Sequence, residues 1–529
     1  MRNFTSVVVV LATIALSRAD GFATEFHIDA ERGDDAASGL TAEQAWQHLQ
    51  YAAGRVMPGD VVLVHPGVYY EHVKLERGGS QDQPIVFRAL RESGRDVIVS
   101  GAQRAIRTHQ LKWNLDDAAL RLYSLELKLE PATVLADEVN LYRFPSLEEL
   151  KTLRVHNVAL SGKPAPGPRH GFAWEAGKLY VRLHAAGRYG SRDPNEHVMK
   201  VSPPRGAGFR GDEIDSRLRA NWSVLTDAPA FVTLEGFVFE SPGFCGVWVR
   251  RGGVTVRNCR FLGCRTGVRG WDRAEKKPRY LSDDVLVEGC EFSEYPCYQD
   301  VMEVVAEAER LSPAERDALP NFFWWHRKAG SYSCEVGLVT AAGRRWTIRD
   351  NHIHDALDGL SFMSLSWSED CEVSGNRFER IFDNAVEAEN HAQRLKIVGN
   401  TVVDVFEPFS YQPLDGEPWP ASIRIERNTV GLTGEGAAFW SKPILRWQHG
   451  CFKIKVAQGF SRVPGDGPGD GFVAQENLIY FPGGNLLSLG AAALSIEGVT
   501  FENNVVCCDA LGGTERHEPP TKFTFRGNA

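Results

Sequence analysis

Several things are scarce in this chain of 529 residues. It has 10 cysteines, too few at this size for a dense disulfide framework, and Cys507-Cys508, being adjacent, do not match zinc-ligand spacing. It has no excess of positive charge: the net charge is −9, which argues against the basic stripes that non-specific nucleic-acid binding requires. Beyond the N-terminus it has no apolar run near the ~18 residues that a membrane-spanning helix needs. What remains is an ordinary globular balance, 43% hydrophobic and 24% charged.

The N-terminus reads as an export signal. Arg2 supplies the charge, Ser6 to Leu16 the apolar core, and Ser17-Arg18-Ala19 a small-residue cleavage site. The expectation is a signal peptide over residues 1–19 and a mature protein, secreted or periplasmic, that starts near Asp20.

A repeat dominates the second half. Short alternating strands ending in Asn occur at Trp346 to Asn351, Cys371 to Asn376, Leu395 to Asn400 and Ile423 to Asn428, spaced 25, 24 and 28 residues from Asn to Asn. Related strands run at Ala230 to Ser241, Val254 to Cys264 and Asp284 to Tyr295. A recurrence of 22 to 30 residues marks a β-solenoid rather than a propeller. Stacked Asn side chains at a turn bond to the coils above and below. That assigns Asn258, Asn351, Asn376, Asn400, Asn428 and Asn477 to structure, and Cys259 and Cys290 to a stacked core.

The N-terminal third carries a strand with GDDAASG, a helix expected around Ala42 to Val56, and PGDVVLVHPGVYYEHV. This arrangement resembles the cap and first coils of secreted right-handed parallel β-helix proteins, the pectate-lyase-like superfamily. The resemblance implies an all-β, right-handed parallel β-helix, and activities that are largely carbohydrate-directed. The expected layout is a cap and first coils over 20–102, a small inserted antiparallel β module over 103–200, and the main solenoid over 201–529. A helical, Trp-rich excursion falls at 296–342, with Ser312 as N-cap and Pro313 at the first helical position.

Seven residues after each repeated Asn comes an acid: Asp358, Asp383, Glu407 and Glu435. Equal positions on adjacent coils lie about 5 Å apart, so these carboxylates cannot all ionise freely. Either a cation such as Ca²⁺ neutralises them or one stays protonated as a general acid. Asp, Gly and Asn are also ordinary turn formers, the reading preferred for Glu435. In Asp383 to Lys396, Val386 and Ala388 alternate with Glu387 and Glu389, placing both glutamates on one outward face, with Asn390 and His391 following. His354 could act as an acid or base, although a lone His in a turn serves structure as readily. Trp324, Trp325 and His326, with Trp367, Trp419, Trp440 and Trp447, suit stacking on sugar rings.

Three readings follow. The first is an exported glycoside hydrolase acting on a polysaccharide or oligosaccharide. Asp383 with Asp358 or Glu387 would form the carboxylate pair, His391 would assist, and Glu389, Asn390, Trp324, Trp325, His326, Arg394 and Glu407 would contact substrate. Glu335 is a loop acid that could reach the longer, inverting separation. No cofactor is required, and a monomer without nucleic-acid partners is expected. The second is a polysaccharide lyase. The E-x-E strand followed by His391, Arg394 and Lys396 resembles alginate-type lyases, which implies Ca²⁺ on Glu387 and Glu389 and proton transfer by His391 or Arg394. The Asn-Lys-Ser turn of that type is replaced here by NHAQR. The third is a non-catalytic glycan-binding or surface solenoid.

Overall fold

The computed structural model describes residues 23–529 except 157–163, 185–189, 204–221, 225–229, 271–281, 295–304, 315–336, 363–366, 390, 413–421, 441, 443–449, 456–470, 491–497 and 514–521. The expected export signal therefore lies outside the described residues, as do Trp324, Trp325, His326, Glu335, Asn390, Trp419 and Trp447.

The main chain winds as a solenoid with three long parallel faces. The first face begins with Glu25–Ile28, Val61–Val64 and Ile85–Ala89 and continues from Val232–Glu235 to Thr524–Arg526, 13 strands among the described residues. Most of its strands alternate buried and outward residues, as in Val232–Glu235 and Ile423–Glu426. The second face stacks Phe239 on Phe261 and Phe261 on Phe292, with ring centroids 4.8 and 4.7 Å apart and planes within 11° and 3° of parallel. Equal register on a parallel sheet puts like residues one strand spacing apart, so aromatic rings pile into a continuous inner column. The third face carries Val247–Val249, Val268–Gly270, Val339–Ala341, Leu360–Phe362, Val386–Glu387, Phe409–Tyr411 and Gly450–Ile454.

The turn between the first and second faces holds the asparagine ladder. Asn351 donates its backbone N–H and its side-chain amide to Asn376 Oδ1, at 3.0 and 2.9 Å. The same double bond runs from Asn376 to Asn400, Asn400 to Asn428, Asn428 to Asn477, Asn477 to Asn504 and Asn504 to Asn528. Each rung satisfies polar groups that would otherwise be buried unpaired, at about 1–3 kcal/mol apiece. The residue before each rung has a left-handed backbone: Asp350, Gly375, Gly399, Arg427 and Glu476 all have φ between 52° and 64°. That conformation is why Gly precedes three of the asparagines, Asn376, Asn400 and Asn528.

One expectation is corrected here. Asn258 is not a rung; it occupies the preceding left-handed position, with φ 53°. The rung places on the earlier coils belong to Cys259 and Cys290: Cys290 N–H donates to Asn351 Oδ1 at 2.9 Å, and Cys259 N–H to Cys290 Sγ at 3.4 Å. Asn and Asp tolerate φ > 0 better than other side chains, which suits Asn258 to the position before the rung.

At the N-terminal end, Trp46 stacks on Phe26, and the short helix Leu49–Ala53 buries Leu49, Ala52 and Ala53. Glu71, from the Y-Y-E motif, accepts the N–H groups of Leu49 and Gln50 at 3.0 and 2.9 Å, satisfying the orphan donors of that helix. Ile85–Ala89 pairs directly with Val232–Glu235, Val97–Ser100 with Val238–Glu240, and Val73–Leu75 with Trp222–Val224, so the chain between Ser100 and Trp222 is an excursion from the solenoid. Within it, Leu122–Glu126, Gly171–Glu175 and Lys178–Arg182 form an antiparallel sheet over a core of their own that includes Trp113, Leu125, Phe172 and Val181. Glu240 joins this part to the coils, accepting from Ser100 Oγ and Arg107 Nε at 2.7 Å each.

Candidate active site

The third face differs from the other two in its outward line of residues. Backbone register aligns Arg269, Thr340, Ser361, Glu387, Ser410 and Lys453 on successive coils. Every one is polar, and all but Glu387 are at most 6% exposed. The outward positions of the second face, such as Arg377 and Thr429, are open to solvent. The long connections of the main coils also join at this face, between Ser293 and Val339, Tyr411 and Ile423, Gly431 and Gly450, and Ile454 and Phe472. A polar line that is nonetheless buried, flanked by the longest connections, is where a solenoid can hold a ligand.

The acids gather at the corner where the second face turns into the third. Asp383 N–H donates to Leu357 O at 2.8 Å and Glu407 N–H to Asp383 O at 3.0 Å, so Asp358, Asp383 and Glu407 stack on three consecutive coils. All three are buried. Glu387 follows on the third-face strand, with Ser361 and Ser410 as its register neighbours, while Val386 and Ala388 point into the core. Among the described residues Glu387 has no hydrogen-bond partner. Burial pushes its carboxyl well above the usual range, and the negative charges of Asp358, Glu389 and Asp383 push the same way against the pull of Lys453. Glu389, just past the strand, accepts from Ser410 Oγ and Gln412 Nε2.

Lys453 is the counter-ion. It is 2% exposed, and its ammonium lies 3.6 Å from Asp383 Oδ1 and 3.7 Å from Glu407 Oε2. It donates to Asn384 Oδ1 at 2.8 Å. Burial opposes its charge, but Asp383, Glu407, Glu389 and Glu387 outweigh that and hold it protonated. Asn384, fully buried, also donates Nδ2 to Glu407 O at 2.7 Å and its backbone N–H to Asp358 Oδ1 at 3.2 Å. Glu294, one coil before Asp358, is pushed up by burial, pulled down by Arg265 and the Leu357 N–H, and pushed up again by Asp358. Lys455 is held below its ordinary value, chiefly by burial.

Sequence reasoning placed Asp358, Asp383, Glu387, Glu389 and Glu407 together, and so does the structure. It missed Asn384, Lys453, Glu294 and Ser410. An isolated lysine between Phe452 and Ile454 in an apolar strand was the available signal for Lys453. Other residues fall elsewhere. Arg394 is exposed at the next corner, where it pairs with Asp370 and Glu369 at 2.6 and 2.8 Å. Lys396 points to solvent on the first face. The backbone of His391 pairs with Trp367 in a short separate sheet, and its side chain lies outside the described residues. His354 sits on the second face, bonded to Asp355 Oδ2 at 2.7 Å and Glu291 Oε1 at 3.3 Å. Glu435 is exposed in the first turn of the helix Gly434–Trp440 instead of in a turn between strands. Trp440 is buried against Phe382, Phe406 and Phe439, so it serves packing.

Residues 223–408 match the family model described as the right handed beta helix region, which spans the coils carrying Asp358, Asp383, Glu387 and Glu407. The solenoid is a right-handed parallel β-helix. Similar solved structures include XylC in complex with xylose, at 14% identity over 91% of this chain and 75% of that one, TM-score 0.46. A GH136 lacto-N-biosidase from Eubacterium ramulus is similar at 10% identity over 96% and 67%, TM-score 0.43. The PL6 family polysaccharide lyase Pedsa3628 from Pseudopedobacter saltans is similar at 11% identity over 90% and 89%, TM-score 0.38. No curated protein matches the chain.

Proposed function

We propose that this β-helix is an exported carbohydrate-active enzyme and, within that class, a glycoside hydrolase working at Asp383 and Glu387. The observation that carries the reading is the contrast between these two acids of one coil. Asp383 is ion-paired with Lys453, whereas burial and neighbouring carboxylates push the Glu387 carboxyl well above its usual range. Two carboxyl groups driven toward opposite protonation states supply the acid and the base or nucleophile that glycosidic cleavage requires. Glu387 donates its proton to the leaving oxygen, and Asp383 attacks the anomeric carbon or activates water. The side chains of Ser361 and Ser410, one coil to either side of Glu387, are small.

The lyase reading has one observation in its favour. Lys455, held below its ordinary value, is a nitrogen base of the kind that removes a proton beside a uronate carboxylate. Against it stands the charge of the corner, where Asp358, Asp383, Glu389 and Glu407 surround Glu387; these repel a uronate. The same set fits a resident Ca²⁺ poorly. The Glu389 carboxylate is occupied by Ser410 and Gln412, and the Lys453 ammonium already sits between Asp383 and Glu407. Among the described residues no group of three or more His, Cys, Asp or Glu side chains is arranged to hold a metal, and no helix is long and apolar enough to cross a membrane.

Product analysis on a panel of neutral and acidic glycans tests the proposal. Hydrolysis releases new reducing ends without an ultraviolet-absorbing unsaturated product, and Asp383→Asn abolishes it with the circular dichroism spectrum unchanged. An unsaturated product, or full turnover by Asp383→Asn, overturns the proposal. Glycan binding without cleavage, surviving loss of Asp358, Asp383 and Glu387 together, identifies a binding solenoid instead.

A further inference from the structure

We infer that Asn384 and Lys453 are positioning residues: Asn384 pins the Lys453 ammonium between Asp383 and Glu407, and so makes Asp383 and Glu387, two acids of one coil, electrically unequal. The catalytic consequence rests on the hydrolase reading above; the electrostatic device does not.

The geometry is specific. An ammonium has three donors. One makes a hydrogen bond to Asn384 Oδ1 at 2.8 Å, while the two carboxylates stand at 3.6 and 3.7 Å, ion-pair distances rather than hydrogen bonds. Asn384 thus sets where the charge sits, between two acids without binding either closely. Asn384 is itself held from three coils, through Glu407 O, Asp358 Oδ1 and Lys453 Nζ. It makes no ion pair, so its burial is explained by these bonds alone.

The electrical effect follows. A buried cation beside Asp383 and Glu407 favours their charged forms. With both charged, and with Asp358 and Glu389 close by, burial and these negative charges push the Glu387 carboxyl well above its usual range. The other charged groups facing the corner are Lys455 on the strand end beside Lys453, and Glu294 and Arg265 below Asp358. Arg265 acts on Glu294, and burial weakens the charge of Lys455.

Carboxyl-carbon NMR titration of the full-length protein tests this without a substrate. In Lys453→Met the Asp383 midpoint rises by roughly one unit or more, and by more than that of Glu387, because the lost ammonium lies 3.6 Å from Asp383 and pulls only weakly on Glu387, so the gap between the two acids narrows. Lys453→Arg keeps the charge and returns both toward the wild-type values. If Lys453→Met does not fold, Asn384→Ser makes the same test, since loosening the ammonium raises the Asp383 midpoint. Unshifted midpoints in a folded variant overturn the inference. With a glycan that the wild type cleaves, the acid limb of the pH profile of kcat/KM moves alkaline in Lys453→Met by more than the basic limb, whereas a merely structural role lowers the maximum and leaves the limbs in place. Shifted midpoints without glycan cleavage by the wild type keep the positioning role and remove the hydrolase. Cleavage with unshifted midpoints does the reverse.

Discussion

Lys453 Nζ lies 3.6 Å from Asp383 Oδ1, inside the solenoid's third face, with both residues at 2% exposure. The pair spans the coils of Glu407 and the helix Gly434–Trp440 in sequence, yet the parallel register brings Lys453 to within two coils of Glu387. The chemistry proposed above depends on that coincidence of register.

Glu387→Gln keeps the shape and removes the transferable proton. The expected result is a fall in kcat of about 10²–10⁴-fold on glycans with poor leaving groups. With an activated aryl glycoside, whose leaving group needs no protonation, the loss shrinks to a small factor. Equal losses on both substrates count against Glu387 as the acid.

His354 makes stability depend on pH. Burial opposes its charge, but bonds to Asp355 and Glu291 raise it to about 9. A folded value above the unfolded one, about 6.5, means that the stabilisation is complete below pH 6.5 and is lost as pH rises through 9. The contribution is up to about 3 kcal/mol, with the side chain 13% exposed. Urea titrations at pH 6 and 9.5 should show the difference in wild type, and His354→Gln should flatten it. An unchanged slope in the variant would remove His354 as its cause.

Asn400 is a rung in the middle of the ladder, away from the acids. Asn400→Ala deprives Asn376 N–H and Nδ2 of their acceptor and Val373 O of its donor. The expected cost is about 2–4 kcal/mol, read as a lowered denaturation midpoint, with glycan cleavage per folded molecule unchanged.

Arg394→Ala separates the hydrolase from the lyase reading. Its ion pair with Asp370 is exposed and that with Glu369 half-buried, so the change should cost about 1 kcal/mol and leave kcat/KM within about twofold. Loss of turnover by orders of magnitude would bring Arg394 into the reaction.

Much of the fold was legible because its signals are local. The alternation of Ile423 to Glu426 and the left-handed position before each rung repeat within a few residues, and each repeat restates the same turn. The Cys rungs were harder. Cys259 and Cys290 replace Asn at the same place, and Asn258 stands one residue before Cys259, out of the ladder's register. The acids were legible in part, because Asp358, Asp383 and Glu407 sit in coils of nearly equal length. Counting residues along equal coils gives the register. Glu435 shows where counting stops: the chain leaves the repeat there for a helix, and the phase no longer predicts position.

By itself the sequence determined the solenoid, its ladder and which coils carry the acids, since period and turn chemistry are properties of short segments. The tertiary structure alone decided what those acids can do. Lys453 and Asn384 meet only after long connections have been folded out of the way, and no count along the chain predicts their distance. Which carboxyl keeps a proton depends on burial and on charges from four coils at once. Arg394 and Lys396, close to Glu387 in sequence, are carried around a corner onto other faces. Sequence neighbours separate because a coil turns every few residues, and distant residues meet because coils stack.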